Sequence, residues 1–266
     1  MLKDITIGQY FPGKSIIHRI DPRFKIIITA LFITMLFCAS DMWGLLVGIL
    51  FLIMVLLLSK IPVKMVLKGL KPLIPIIIFT SILNLFFIDG DVVVKFWIFK
   101  ITDNGIETAI FMVIRIISLI AGTSLLTYTT SPIVLTDAIE RLMSPLKKIK
   151  VPVHELAMMM TIALRFIPTL IEETDKIMSA QKARGADLES GGLIKRAKAL
   201  IPILIPLFVS AFRRAEELAL AMECRCYHGG EGRTRLKQLK SGGKDYVALI
   251  ISLGFLAGII TLNCLL

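Results

Sequence analysis

The chain has 266 residues, 56% of them hydrophobic and 19% charged, with a mean hydropathy of +0.80. A soluble domain is nearer about 45–50% apolar and about 25% charged, so a plain water-soluble globule and a disordered chain are both excluded. Lys and Arg number 31 against 20 Asp and Glu, a net charge of +11; charge is expensive in hydrocarbon, so the basic residues belong outside the bilayer that the apolar excess calls for.

A spanning helix needs about 20 mostly apolar residues, and five stretches qualify. In chain order they are 24–40, 43–59, 72–88, 105–128 and 245–266. The first begins after a polar stretch holding Lys3, Lys14, His18, Arg19, Arg23 and Lys25, with no small-residue cleavage site after it, and is expected to be retained. A tight turn at Ser40 makes the first two spans an antiparallel hairpin. Between the third and fourth spans, Val92, Val94, Phe96, Ile98 and Phe99 precede Asp103-Asn104-Gly105, which predicts a short hairpin-like cap. The fourth span carries Arg115 near its centre, an intramembrane polar candidate by default. A bundle-facing arginine bonded to Ser118, Asn84 or a backbone carbonyl is its structural counterpart.

Orientation follows the loop cations. Five lie before or at the first span, four (Lys60, Lys64, Lys68, Lys71) between the second and third, and nineteen between Arg141 and Lys244. If the spans alternate, all of these share one side, and the other side has only Lys95 and Lys100. The expectation is a multi-pass protein of a bacterial or archaeal cell membrane, N-terminus cytosolic and C-terminus outside. Cys38, Cys224, Cys226 and Cys264 then fall in spans or on a reducing face, with no disulfide framework.

Residues 1–128 thus read as a four-span bundle, 129–244 as a cytosolic-side region, and 245–266 as the last span: an all-α membrane protein. Within 129–244, Ser131-Pro132 starts a helix running to about Lys148, and Lys150-Val151-Pro152 breaks it. Two long amphipathic helices follow, about 153–185 and 193–226, separated at Gly191-Gly192. Each opens with an apolar half (156–171 and 200–212), short for crossing a bilayer, and ends polar at an arginine. An offset of 41 residues matches Asp175 with Glu216, Ile177 with Leu218, Ala180 with Ala221 and Arg184 with Arg225. Small residues flank both arginines: Ala183 and Gly185, Cys224 and Cys226. A cation suits a helix C-terminus, and small neighbours let a partner surface approach a guanidinium fork suited to carboxylates. Two such ends fit a partner with two similar pockets.

His18-Arg19-Ile20-Asp21-Pro22-Arg23-Phe24-Lys25, Thr129-Thr130-Ser131-Pro132, Ile162 through Pro168, Ala180-Gln181-Lys182-Ala183-Arg184-Gly185 and Ala221 through Tyr227 together resemble the transmembrane T component of energy-coupling factor transporters, ATP-driven micronutrient importers. The resemblance covers nearly the whole chain. It implies that Arg184 and Arg225, with their small neighbours, dock into two cytosolic ABC ATPases. It further implies that an exchangeable membrane-embedded S component rests on an apolar platform: Leu156, Met159, Met160, Ala163, Leu164 and Ile167 of the first helix, Leu204, Phe208 and Phe212 of the second. Vitamin or micronutrient uptake would follow, with no catalytic residue and no cofactor in this chain, since the partners hold ATP and Mg. In the second signature Cys224 and Cys226 replace Ala and Gly, which removes the glycine expected at a left-handed helix stop. Pro168, Pro202 and Pro206 are candidates for bending the helices.

Other readings are weaker. Cys224, Cys226 and His228 lack the fourth ligand of a structural zinc site, and no metal is expected. Gly229–Thr234 and Gly242-Gly243-Lys244 lack the residues and strand of a phosphate loop; a basic linker at anionic headgroups fits them better, and no nucleic acid partner is expected. A self-contained secondary carrier would need paired intramembrane polar sites and inverted repeats; a passive membrane scaffold is the other alternative.

Overall fold

The computed structural model describes residues 10–96, 99–186, 192–229 and 239–265. These form two compact units. One is a bundle built from the described residues up to Ala138 and from Leu239 onward; the other holds those between Ile139 and Gly229.

The bundle begins with α1 (Pro22–Cys38), α2 (Met42–Ser59) and α3 (Val63–Leu70), then α4 (Ile74–Phe87), a hairpin of β1 (Val92–Phe96) and β2 (Phe99–Thr102), α5 (Asp103–Thr129) and, after the other unit, α9 (Gly243–Leu265). The expected cap between the third and fourth spans is this antiparallel hairpin. Asp103-Asn104-Gly105 is not part of its loop but the first turn of α5, because the Thr102 hydroxyl accepts the Gly105 N–H at 3.1 Å and donates to the Ile88 carbonyl at 2.7 Å. The third span gains a leading helix, α3, joined to α4 through a short 3₁₀ turn at Lys71–Leu73.

Among the described residues, five helical stretches are long and apolar enough to cross a membrane: α2, Val63–Phe87, α5, Val153–Ala183 and α9. The first expected span falls outside these five, since α1 has 17 residues, roughly 25 Å at 1.5 Å each. Yet α1 runs parallel to α9 from end to end. The Asp21 N–H donates to Asp245 Oδ1 at 2.9 Å at one end, and the Asn263 amide donates to the Cys38 carbonyl at the other. Against α5 it runs antiparallel: Lys25 Nζ donates to the Thr129 carbonyl at 3.0 Å, while Arg115 donates to the Ala39 carbonyl. The start of α1, the end of α5 and the start of α9 therefore lie on one side of the bundle.

Its core gathers Phe32, Met35, Leu36, Leu45, Phe51, Leu52, Leu125, Tyr128 and Ile259. Phe51 stands between Phe32 (5.8 Å, stacked) and Phe255 (5.3 Å, edge-on). Two glycines permit the close approach: a Cβ on Gly122 would meet the Phe32 ring at 2.1 Å, and one on Gly48 would meet Leu36 at 2.8 Å.

Several buried polar groups at the helix ends of the bundle find partners there. Asp21 caps α1 through the Arg23 N–H, with Pro22 at the first helical position. Asp245 accepts both the Asp21 N–H at 2.9 Å and the Gly242 N–H at 2.7 Å, so one carboxylate fastens the starts of α1 and α9. Lys25 reaches Thr129 and Thr130 at the end of α5, where carbonyls lack intrahelical donors. Arg115 and Asn263 do the same for the last carbonyls of α1. Arg115 thus takes the backbone-carbonyl role, with its guanidinium 4.4 Å over the Phe111 ring, at the level of the α1–α2 turn.

α6 (Pro132–Leu142) starts at the expected proline but gives way to a 3₁₀ stretch at Ser144–Ile149, short of the expected continuous helix to Lys148; Pro145 lacks the N–H a helix would need. Left-handed Lys150 and Pro152 then set off α7 (Val153–Ala183), and α8 (Leu193–Glu223) follows. His154 Nδ1 lies 3.1 Å from Glu140 Oε1 at the start of α7.

Candidate functional site: two capped helix ends and an apolar face

α7 and α8 have 31 residues each and pack antiparallel: Gln181 is paired with Pro202, and Glu173 with Arg214. The first pairing has a local cause. Pro206 has no N–H, so the Pro202 carbonyl one turn earlier loses its helical donor, and the Gln181 amide of α7 supplies one at 3.2 Å. The second is an ion pair, Arg214 Nη2 to Glu173 Oε2 at 2.7 Å, with side chains 30% and 28% exposed.

The two helices end alike. At α7 the Ala186 N–H donates to the Gln181 carbonyl and the Gly185 N–H to the Lys182 carbonyl, both at 3.0 Å, with Gly185 left-handed at φ +83°. At α8 the Tyr227 N–H donates to the Met222 carbonyl at 3.1 Å and the Cys226 N–H to the Glu223 carbonyl at 2.8 Å, with Cys226 left-handed at φ +55°. Each end is the six-to-one and five-to-two pattern of a Schellman stop. Loss of the glycine does not remove the left-handed residue; Cys226 adopts it, at a cost of about 1–2 kcal/mol for a side-chain-bearing residue.

Arg184 and Arg225 each stand one residue before the left-handed position, and both are exposed, as are Ala183, Gly185, Cys224 and Cys226. Antiparallel packing puts the two arginines at opposite ends of the helix pair. Among the described residues, Cys224, Cys226 and His228 do not join any group of three potential metal ligands. Of the glycine-rich connection before α9, residues 230–238 lie outside the described residues; Gly242 and Gly243 begin α9.

The expected platform side chains divide by exposure. Met159 (55%), Phe208 (61%) and Phe212 (71%) stand open, as do Leu156, Met160, Ala163 and Leu204, while Leu164 and Ile167 are half-buried. The Phe208 and Phe212 rings stack 6.4 Å apart. The open apolar face of α8 is wider than expected, because Leu200, Ile201, Ile205 and Val209 are also exposed. Read as 200/201, 204/205, 208/209 and 212, these repeat every four residues, a stripe along one side of a helix. That spacing was available in the sequence. Gln181, Glu173 and Arg214 carried no such signal, since their partners sit on the other helix.

A family model described as cobalt transport protein (CbiQ) matches residues 13–236. Curated relatives match over nearly their full length. One from Ruminiclostridium cellulolyticum is 56% identical over 263 residues, covering 99% of this chain and 98% of the relative. One from Bacillus subtilis is 49% identical, covering 98% of each. One from Lactococcus lactis is 47% identical, covering 94% of each. All three bear the name energy-coupling factor transporter transmembrane protein EcfT.

Proposed function

The chain belongs to the family of energy-coupling factor transporter transmembrane components, and from that premise we propose that it is the subunit that transmits ATP-driven motion from two cytosolic ABC ATPases to a substrate-binding S component. Arg184 and Arg225 are the docking groups, seated among Ala183, Gly185, Cys224 and Cys226. The observation that carries this reading is the repetition of one capped helix end, with an arginine at the same place, at opposite ends of an antiparallel pair. A guanidinium beside small residues enters a groove lined with carboxylates or carbonyls, and its fork makes the contact directional.

The S component rests on the open apolar faces of α7 and α8. A face of this kind, carried on helices with Arg165, Glu172, Glu173, Arg213 and Arg214, suits a partner that is itself embedded in lipid. When the ATPases close, the arginines they hold are displaced, and two rigid 31-residue helices carry the displacement to the platform. The S component tilts and releases a vitamin or other micronutrient to the cytosol. The chain's own part is mechanical, and hydrolysis belongs to the partners.

The N-terminus is cytosolic and the C-terminus outside in this reading. The end of α5 and the start of α9 share one side of the bundle, so an even number of crossings separates them. Counting α7 as a span would force α8 across as well, with Lys195, Lys198, Arg213 and Arg214 aboard; α7 and α8 are therefore assigned to the cytosolic side, and α1 crosses beside α9.

The test is charge reversal at both ends. In Arg184→Glu/Arg225→Glu the ATPases fail to co-purify and uptake is lost. Unchanged co-purification and uptake would refute the docking role, and ATP hydrolysis independent of this subunit would reduce it to a scaffold.

A further inference from the structure

The ion pair between α7 and α8 joins residues that are equivalents of each other. Glu173 and Arg214 are 41 residues apart, the offset that also aligns Arg184 with Arg225 and Gly185 with Cys226. In an antiparallel pair of repeated helices, a residue meets its own equivalent only where a local two-fold axis passes between them. Arg184 and Arg225 each follow this contact by eleven residues, roughly 16 Å along each helix and in opposite directions. The ion pair is thus the midpoint between the two arginines.

We propose that Glu173 and Arg214 are the fulcrum of the helix pair: positioning residues that fix the sliding register of α7 against α8, and so the separation at which Arg184 and Arg225 are presented to a two-fold-symmetric partner. This rests on the docking role proposed above. The chemistry of the site favours it in two ways. A position on a two-fold axis brings equivalent side chains together, so a faithful repeat of Glu or of Arg would repel itself; here the repeat is broken to opposite signs at the axis. One contact at the axis also opposes sliding, since a shift of one turn moves the pair about 5.4 Å apart, while it leaves the crossing angle free to change. The Gln181–Pro202 contact lies to one side of the axis and constrains one arm.

The experiment uses the whole complex in liposomes, with substrate uptake measured per ATP hydrolysed. In Glu173→Gln and in Arg214→Gln the ATPases still co-purify, and uptake per ATP falls by about three- to tenfold, as suits loss of a half-buried ion pair at a mechanical centre. The exchanged pair, Glu173→Arg/Arg214→Glu, recovers uptake per ATP to within about twofold of the unaltered protein, because the contact is restored with its signs reversed. Wild-type uptake per ATP in both single variants would overturn the proposal, as would an exchanged pair no better than the singles. If the single variants do not insert, an exchanged pair that inserts and transports supports the proposal, and one that also fails overturns it. Failure of the docking role itself reads out separately, as ATPase co-purification that survives Arg184→Glu/Arg225→Glu.

Discussion

Cys226 carries a backbone conformation that glycine adopts freely, while Gly185 holds the equivalent place at the end of α7. The Cys226→Gly substitution should therefore stabilise the end of α8, by about 1 kcal/mol from relief of the left-handed conformation less the entropy a glycine adds to the unfolded chain. A rise in the thermal midpoint of the purified protein, with ATPase co-purification intact, is the expected result; a fall would mean that the thiol packs usefully there. Several other residues were visible in the sequence as types and took their meaning only from the fold. Arg115 stood out as an intramembrane charge, and its donation to the Ala39 carbonyl makes it a cap for α1. Asp245 is in the sequence simply the first residue of the last expected span, and it fastens two helix starts at once. Lys25 and Thr129 belong to separate motifs in the sequence, and one hydrogen bond joins them. Local pattern names a polar residue that must find a partner; which partner depends on elements 76 to 224 positions away.

At the scale of the elements, periodicity and breakers were legible and lengths less so. Helix starts at Pro22 and Pro132 and the stop at Gly185 follow from residue chemistry that acts within one turn. α3, which leads into the third span, has only 8 residues and leaves no hydropathy run of its own, while α6 ends early because Pro145 lacks the N–H a helix would need. The open apolar face of α8 was half legible. Phe208 and Phe212 were picked out, but Ile201, Ile205 and Val209, beside them on the same stripe, were not, because a continuous apolar run hides which face is left open. The stripe gives a prediction: Phe208→Asp/Phe212→Asp keeps both ATPases in the purified complex and loses the S component, as measured by its stoichiometry. Retention of the S component would move its seat elsewhere.

For the whole molecule, the charge asymmetry gives the proposed topology a direct check. In intact cells a membrane-impermeant maleimide should leave Cys224 and Cys226 unmodified until the membrane is opened, whereas a cysteine replacing Asp89 in a cysteine-free chain should react from outside. Modification of Cys224 or Cys226 in intact cells would invert the orientation. One feature of the bundle bears on how the protein is made. Helix α9 lies against both α1 and α2, and Ile259 is fully buried in the core it shares with them. During synthesis α1 and α2 leave the ribosome some 200 residues before the helix that closes over Met35, Leu36 and Phe51. Contacts so distant in sequence form late, so the earliest hairpin waits in the bilayer, with Asn263 and Asp245 still unmade, until α9 has been synthesised. Lipid, rather than protein, must shelter its inner face during that interval.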